Sequence, residues 1–191
     1  MIMDNTTDVV FSQNSIEFVT VAAEFCAFME RANDCSKVDF VDKLLKILPL
    51  LYVKVSLLPA CERIGFEEPE YIVNEDDYEY IRRTIRHKMG AQDDYLEVFV
   101  PDMVYSEEPL TKNISEDLAD IYQDVKDFIG VFRMGNQVTM HDALARCQEH
   151  FEEYWGQRLV NTMRALHDVK YNQHDADEEP LSNEDEDNEK L

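Results

Sequence analysis

Four aspartates at one helical spacing are the most chemically suggestive residues of this chain. Asp117, Asp120, Asp124 and Asp127 fall at i, i+3, i+7 and i+10, which on a helix gathers their carboxylates into an arc of about 80°. No Lys or Arg stands three or four residues after any of them, so each like-charged pair costs about 0.2–0.5 kcal/mol. The helix dipole favours an acid only in the first turn, which here means Asp117. Asp124 and Asp127 therefore need positive charge from elsewhere.

Three sources can supply it. The first is water and salt on a solvated face, the ordinary fate of surface acids. The second is the run Arg82, Arg83, Arg86, His87 and Lys88, the densest basic cluster in the chain; it also sits at the end of its own helix, where the dipole prefers cations. The third is a divalent metal. Hard carboxylate oxygens suit magnesium or manganese, and Glu149, Glu152 and Glu153 on the following helix are the candidates for a second half of such a site. All-helical nucleotide pyrophosphohydrolases and prenyl-transferring enzymes hold magnesium between facing acidic helices. The spacing here reproduces neither full motif, and no Gly-rich phosphate loop accompanies it. The expectation is a solvated stripe, or one paired with Arg82 and Arg86, with metal binding as the alternative.

Other reactive residue types point to packing. Arg158 shares a helical face with Met140, Phe151 and Tyr154, so its guanidinium must meet a carboxylate or stack on a ring. Cys147 and His150 stand three apart, but Cys147 projects onto the apolar side and no second Cys/His pair is near. A buried thiol beside a surface imidazole follows. No Ser or Cys lies in a recognisable nucleophile turn, and no two Glu-x-x-His motifs exist for a di-iron bundle. No catalytic residue is assigned.

The elements that must position these residues read as helices. Asn14 with Glu17 introduces an apolar pattern over 16–31; Asp39 precedes a second over 40–58, which Pro49 should kink near Lys46. Asn74 caps a third over 75–89, closed by Gly90. The irregular stretch 91–113 suggests extended chain or a short helical turn. Ser115 opens the Asp-bearing helix, which runs to Met134 and stops at Gly135; Thr139 with Asp142 opens a fifth to Val169. The short connection between these two makes them antiparallel neighbours. The second helix is expected near the centre of the bundle.

Composition limits the function classes. The chain has 191 residues, 18 Lys plus Arg against 41 Asp plus Glu, and a formal charge of −23. Such a surface repels phosphate backbones and anionic lipids, so neither nucleic acid nor membrane is an expected partner, whereas a basic protein is. Four cysteines without a Cys-x-x-Cys indicate reduced thiols and a cytoplasmic setting. No positively charged, apolar leader precedes Arg31, so the encoded start is the expected one. Nine acids against one lysine after Asn172 argue for a disordered tail.

The segments Asp117-Leu-Ala-Asp-Ile-Tyr-Gln-Asp-Val-Lys-Asp-Phe-Ile129 and Phe151-Glu-Glu-Tyr-Trp-Gly-Gln-Arg-Leu159 resemble a family of uncharacterised, acidic bacterial proteins of about this length, grouped as a domain of unknown function. The resemblance spans about residues 15 to 170. It implies an all-helical fold and brings no activity, cofactor or catalytic residue.

The sequence thus predicts an all-α, irregular bundle of about five helices. Residues 1–13 form a flexible start, 14–170 a single helical domain, and 171–191 a disordered acidic tail. The expected function is a cytoplasmic protein–protein interaction or adaptor module presenting an acidic surface, with no cofactor. The rival is a magnesium-dependent hydrolase acting on a phosphate anhydride through the Asp-rich helix, and a nucleic-acid mimic is a third idea.

Overall fold

Short polar side chains set where each helix begins. The computed structural model describes residues 8–65, 70–97 and 110–172; the proposed acidic tail from 173 onward and the first seven residues lie outside them. Helix α1 (Gln13–Glu30) is capped by Ser12, whose hydroxyl accepts the Ser15 N–H at 3.2 Å. Asn14, expected as the cap, lies inside the first turn and donates to the Leu57 carbonyl at 2.8 Å. Helix α2 (Lys37–Ser56) starts at Ser36, which accepts the Asp39 N–H at 3.1 Å and donates to the Asp39 carboxylate at 2.8 Å. Asp39 is thus the far half of the capping pair rather than the cap itself. Pro49 is accommodated inside this helix, which continues to Ser56.

Helix α3 (Glu75–Met89) begins and ends where the residue types indicated: Asn74 accepts the Asp77 N–H at 2.9 Å, and Gly90 takes a φ of 59° that other residues avoid. After it, strand β1 (Asp94–Leu96) pairs antiparallel with β2 (Thr111–Asn113), Tyr95 opposite Lys112. Helix α4 (Ile114–Phe132) follows directly. Its first turn is capped by Asp93, which accepts both the Ser115 N–H at 2.8 Å and the Ser115 hydroxyl at 2.7 Å. Ser115, expected to open the helix, is instead the residue being capped from 22 positions away.

Helix α5 (Gln137–His150), capped by Asn136, runs into a widened π turn (Phe151–Trp155) and then helix α6 (Gly156–Tyr171). One expected helix is therefore two, joined by a bulge. Gly156 permits it, since a Cβ there would stand 2.4 Å from the Phe151 carbonyl oxygen and 2.8 Å from its ring. Asp124 pairs with His150 at one end of the α4–α5 interface, and Val131 and Ala143 border one small pocket nearer the turn. The two helices are thus antiparallel.

The core joins Phe18, Phe25 and Met29 of α1, Leu44, Leu48 and Leu51 of α2, Ile85 and Met89 of α3, Leu118 of α4, and Trp155 at the bulge. The principal neighbours of α2 are α1 and α6, whereas α4 packs against α1, α3, α5 and α6. The Asp-bearing helix, rather than the second helix, is the hub. Twelve of its nineteen residues are buried, Asp117 and Asp127 among them. A helix surrounded on that many sides has no solvated flank on which to display four acids.

Candidate functional site

The four aspartates lie along the sides of α4 where other elements close over it, and each carboxylate already has donors. Asp117 is 3% exposed. It accepts a hydrogen bond from the Tyr95 hydroxyl and lies 3.5 Å from the Thr162 hydroxyl. Asp120 accepts from three sides: Tyr78 Oη at 2.8 Å, Tyr154 Oη at 2.9 Å and Arg158 Nε at 2.7 Å. Asp124 pairs with His150 Nδ1 at 2.7 Å. Asp127 uses one oxygen to accept the backbone N–H groups of Ile72 at 2.6 Å and Val73 at 2.8 Å.

Burial is the largest influence on three of these carboxyls. It pushes Asp117 up to about 6, against the opposing pull of the Tyr95 hydroxyl and Arg158. It raises Asp124 against the hydrogen bond from His150, and Asp127 against the two backbone donors. Burial also works against the charge of Arg158, but its hydrogen bond to Asp120 and the charges around it more than compensate, leaving it above the usual arginine range. The same guanidinium lies 3.8 Å from the centre of the Tyr154 ring.

The expected cation sources are located differently. Arg82 and Arg83 both pair with Glu79 on their own helix, Arg82 at 2.9 Å and Arg83 at 3.1 Å. Lys88 donates to the Cys35 carbonyl at 2.5 Å, and Arg86 is exposed. None of them pairs with the four aspartates; Arg158 and His150 do, and Arg146 adds a positive field at Asp124 and Asp127. The α4 aspartates are therefore neither solvated nor paired with the basic cluster of α3, because Tyr78 of α3 and partners from β1, α5, the π turn and α6 close over them first.

Glu149, Glu152 and Glu153 occupy a different setting. With Glu62 they line an open groove of about 730 Å³ between residues 60–63 and the outer side of α5 and the π turn. Only Glu153 also borders the shallower cleft of about 260 Å³ that holds Asp120, Asp124, His150 and Tyr154. Glu153 thus shares a cleft with Asp120, Asp124 and Asp127, while Glu149 and Glu152 line the separate groove. Among the described residues, no three His, Cys, Asp or Glu side chains are placed to hold a metal ion. The thiol of Cys147 is buried and held well above its usual range, and all four cysteines are free.

Sequence reasoning did not reveal Tyr78 and Tyr95 as partners, nor the stapling of the α2–α3 connection. Besides Asp127 at Ile72 and Val73, Asp142 accepts the N–H groups of Ile64 at 2.9 Å and Gly65 at 2.8 Å. The available signal was glycine: a Cβ on Gly65 would stand 2.4 Å from the Asp142 carboxylate, and one on Gly130 would stand 2.4 Å from Ile72.

Comparison with known proteins supplies a family and no chemistry. The family model described as a domain of unknown function, DUF5063, matches residues 9–172. The crystal structure of protein BF1032 from Bacteroides fragilis is 57% identical in sequence, covers 87% of this chain and 98% of that one, and superposes with a TM-score of 0.79. The curated proteins contain no match. The match of the family model over residues 9–172, together with the 57% identical relative of the same helical fold, makes this chain a member of the DUF5063 family.

Proposed function

We propose that the protein is a cytoplasmic interaction or adaptor module that presents an acidic surface to a basic protein partner. The observation that carries this reading is the contrast in engagement. The α4 aspartates are occupied by internal donors, while Glu62, Glu149, Glu152 and Glu153 are exposed along a groove and make no hydrogen bond or ion pair with any described residue. Four carboxylates against Arg63 in that groove, on a surface of net charge −23, attract cationic side chains over about 8 Å at physiological salt. The free thiols accord with a reducing compartment. Among the described residues, no helix is long and apolar enough to cross a membrane.

The magnesium-hydrolase alternative needs aspartate oxygens open to a cation. At least one oxygen of each aspartate already accepts from Tyr95, Tyr78, Tyr154, Arg158, His150 or the two backbone amides, which makes this the weaker of the two readings.

The test is binding to an oligolysine peptide with Glu149, Glu152 and Glu153 all replaced by Gln. Affinity should fall at least about tenfold and weaken with salt. Replacing the exposed Asp34, Glu75 and Asp76 by their amides, the same change in net charge elsewhere, should leave affinity nearly unchanged. Equal losses in both variants would reduce the effect to overall charge and defeat the assignment of a surface.

A further inference from the structure

We infer that the outer ridge of α2 is a self-association surface, on which a second copy of this chain lies antiparallel about a two-fold axis near Val53. The ridge is regular. Lys43, Lys46, Leu50, Val53 and Leu57 recur three and four residues apart, within an arc of about 80° and over a rise of about 21 Å. All five are exposed, and the three apolar ones each show about half of their surface to solvent. The neighbours of α2 mark the edges of this face. On the α1 side, Lys54 pairs with Glu17 at 2.5 Å and Asn14 donates to the Leu57 carbonyl. On the α6 side, Asp42 pairs with Lys170 at 2.5 Å, and the Tyr52 ring meets Phe151 of the π turn edge-on at 5.1 Å. The apolar stripe lies on the crest between them.

Charge decides the occupant. Most of the surface of a chain at −23 repels a second copy. The α2–α6 side is the exception: α2 carries four lysines against two aspartates, and α6 carries two arginines and a lysine against one aspartate, whereas α1, α4 and α5 are net acidic. Along the ridge the character also changes in order. Lys43 and Lys46 stand at one end, where Lys46 shares Asp42 with Lys170 and Asp39 lies one turn before Lys43. The apolar residues follow. Past Leu57 the chain reaches the exposed Glu62 and the acidic groove, where four carboxylates outnumber Arg63. A track that reads basic, apolar, acidic is complementary to its own reverse. Laid antiparallel, two copies set Leu50 against the partner's Leu57, Val53 against its own equivalent, and Lys46 toward the partner's Glu62. Each contact then occurs twice, as an isologous interface requires. A partner of uniform charge would match only one end.

The contact is small. One helix crossing with three half-exposed apolar side chains from each copy stays below the roughly 1,200 Å² of a stable complex. Association is therefore weak, with half of the chains paired somewhere between micromolar and millimolar concentration. This inference goes beyond the reading of the acidic groove and does not rest on it.

Sedimentation equilibrium of the full chain at physiological salt tests this across that concentration range. The weight-average mass should rise from 22.4 kDa toward twice that value. Val53→Glu should hold it at the mass of one chain throughout. Tyr80→Glu, the same change on an exposed residue of α3, should leave the rise in place. Lys46→Glu should weaken association at least about tenfold, and adding Glu62→Lys should recover most of that loss, because the antiparallel pair returns with its signs exchanged. A wild type that stays at one chain, a rise that survives Val53→Glu, a loss of the same size in Tyr80→Glu, or a charge exchange without recovery overturns the proposal. Should Val53→Glu lose its helical circular dichroism, Leu50→Ser takes its place with the same two outcomes.

Discussion

Two sets of carboxylates sit barely a helix apart and have opposite fates. Asp117, Asp120, Asp124 and Asp127 repeat along α4, and each ends in a hydrogen bond to another element. Glu149, Glu152 and Glu153 repeat along α5 and the π turn with similar spacing, and they face open solvent. Spacing alone does not separate them; neighbours do. A short Asp on a helix packed by four others is drawn into the interface, where tyrosine hydroxyls and backbone amides must satisfy it. A longer Glu on an outer ridge keeps its hydration. The inner set should govern stability and the outer set recognition, and four measurements can break that division.

The largest effect is expected at Asp127. Replacing it by Ala strands the N–H groups of Ile72 and Val73, the latter buried, with no other acceptor. An unsatisfied buried donor costs about 1–3 kcal/mol and Ile72 is partly open to water, so a loss of about 1–3 kcal/mol in urea unfolding is expected. Asp127→Asn retains an acceptor oxygen and should lose less than half of that. If the two substitutions cost the same, the carboxylate acts by its charge and not as a staple.

That staple also marks the limit of what the residues disclosed in advance. Helices, the Asn74 cap, the Gly90 and Gly135 stops and the α4–α5 hairpin were legible because each rests on chemistry within a few positions. The fate of the Asp series was not, since its partners lie 22 to 55 residues away. An apolar stripe with acids on its flank reads as half solvated only when one side of the helix is assumed free. For α4 that assumption fails, because β1 and the chain before α3 cover the flank. The Asp93 cap on Ser115, 22 positions away, was hidden for the same reason. Arg158 was the exception, since a guanidinium among apolar neighbours demands a partner wherever it lies.

The next two effects probe charge within the inner set. Asp117 titrates at about 6 when folded and near 4 when unfolded, so the native state holds the extra proton between those values. Its contribution is fully present below about pH 4 and is lost as pH rises through 6, a change of about 2–3 kcal/mol at most. Asp117→Asn should therefore gain stability relative to the wild type as pH rises from 4 to 7, read from urea midpoints. A constant difference across that range would show that Asp117 titrates normally. Arg158→Met should cost about 1–3 kcal/mol, because Asp120 and Asp117 lose their shared cation at a site only 27% exposed on the arginine side. A neutral outcome would mean that the tyrosine hydroxyls suffice to hold Asp120.

The smallest effect belongs to the outer set, and its smallness is the sharpest test of the contrast. Glu149, Glu152 and Glu153 are exposed and make no hydrogen bond or ion pair with a described residue. Neutralising all three with Gln removes no contact, relieves repulsion between Glu149 and its neighbours three and four positions on, and should change stability by less than about 0.5 kcal/mol, with stabilisation the favoured sign. The same triple variant is the one expected to lose affinity for a basic peptide. Unchanged unfolding together with weakened binding would assign these glutamates to recognition alone. A destabilisation above about 1 kcal/mol would instead show that the ridge is part of the fold's own electrostatic network, and the division between inner structure and outer surface would fail at the point where it was drawn.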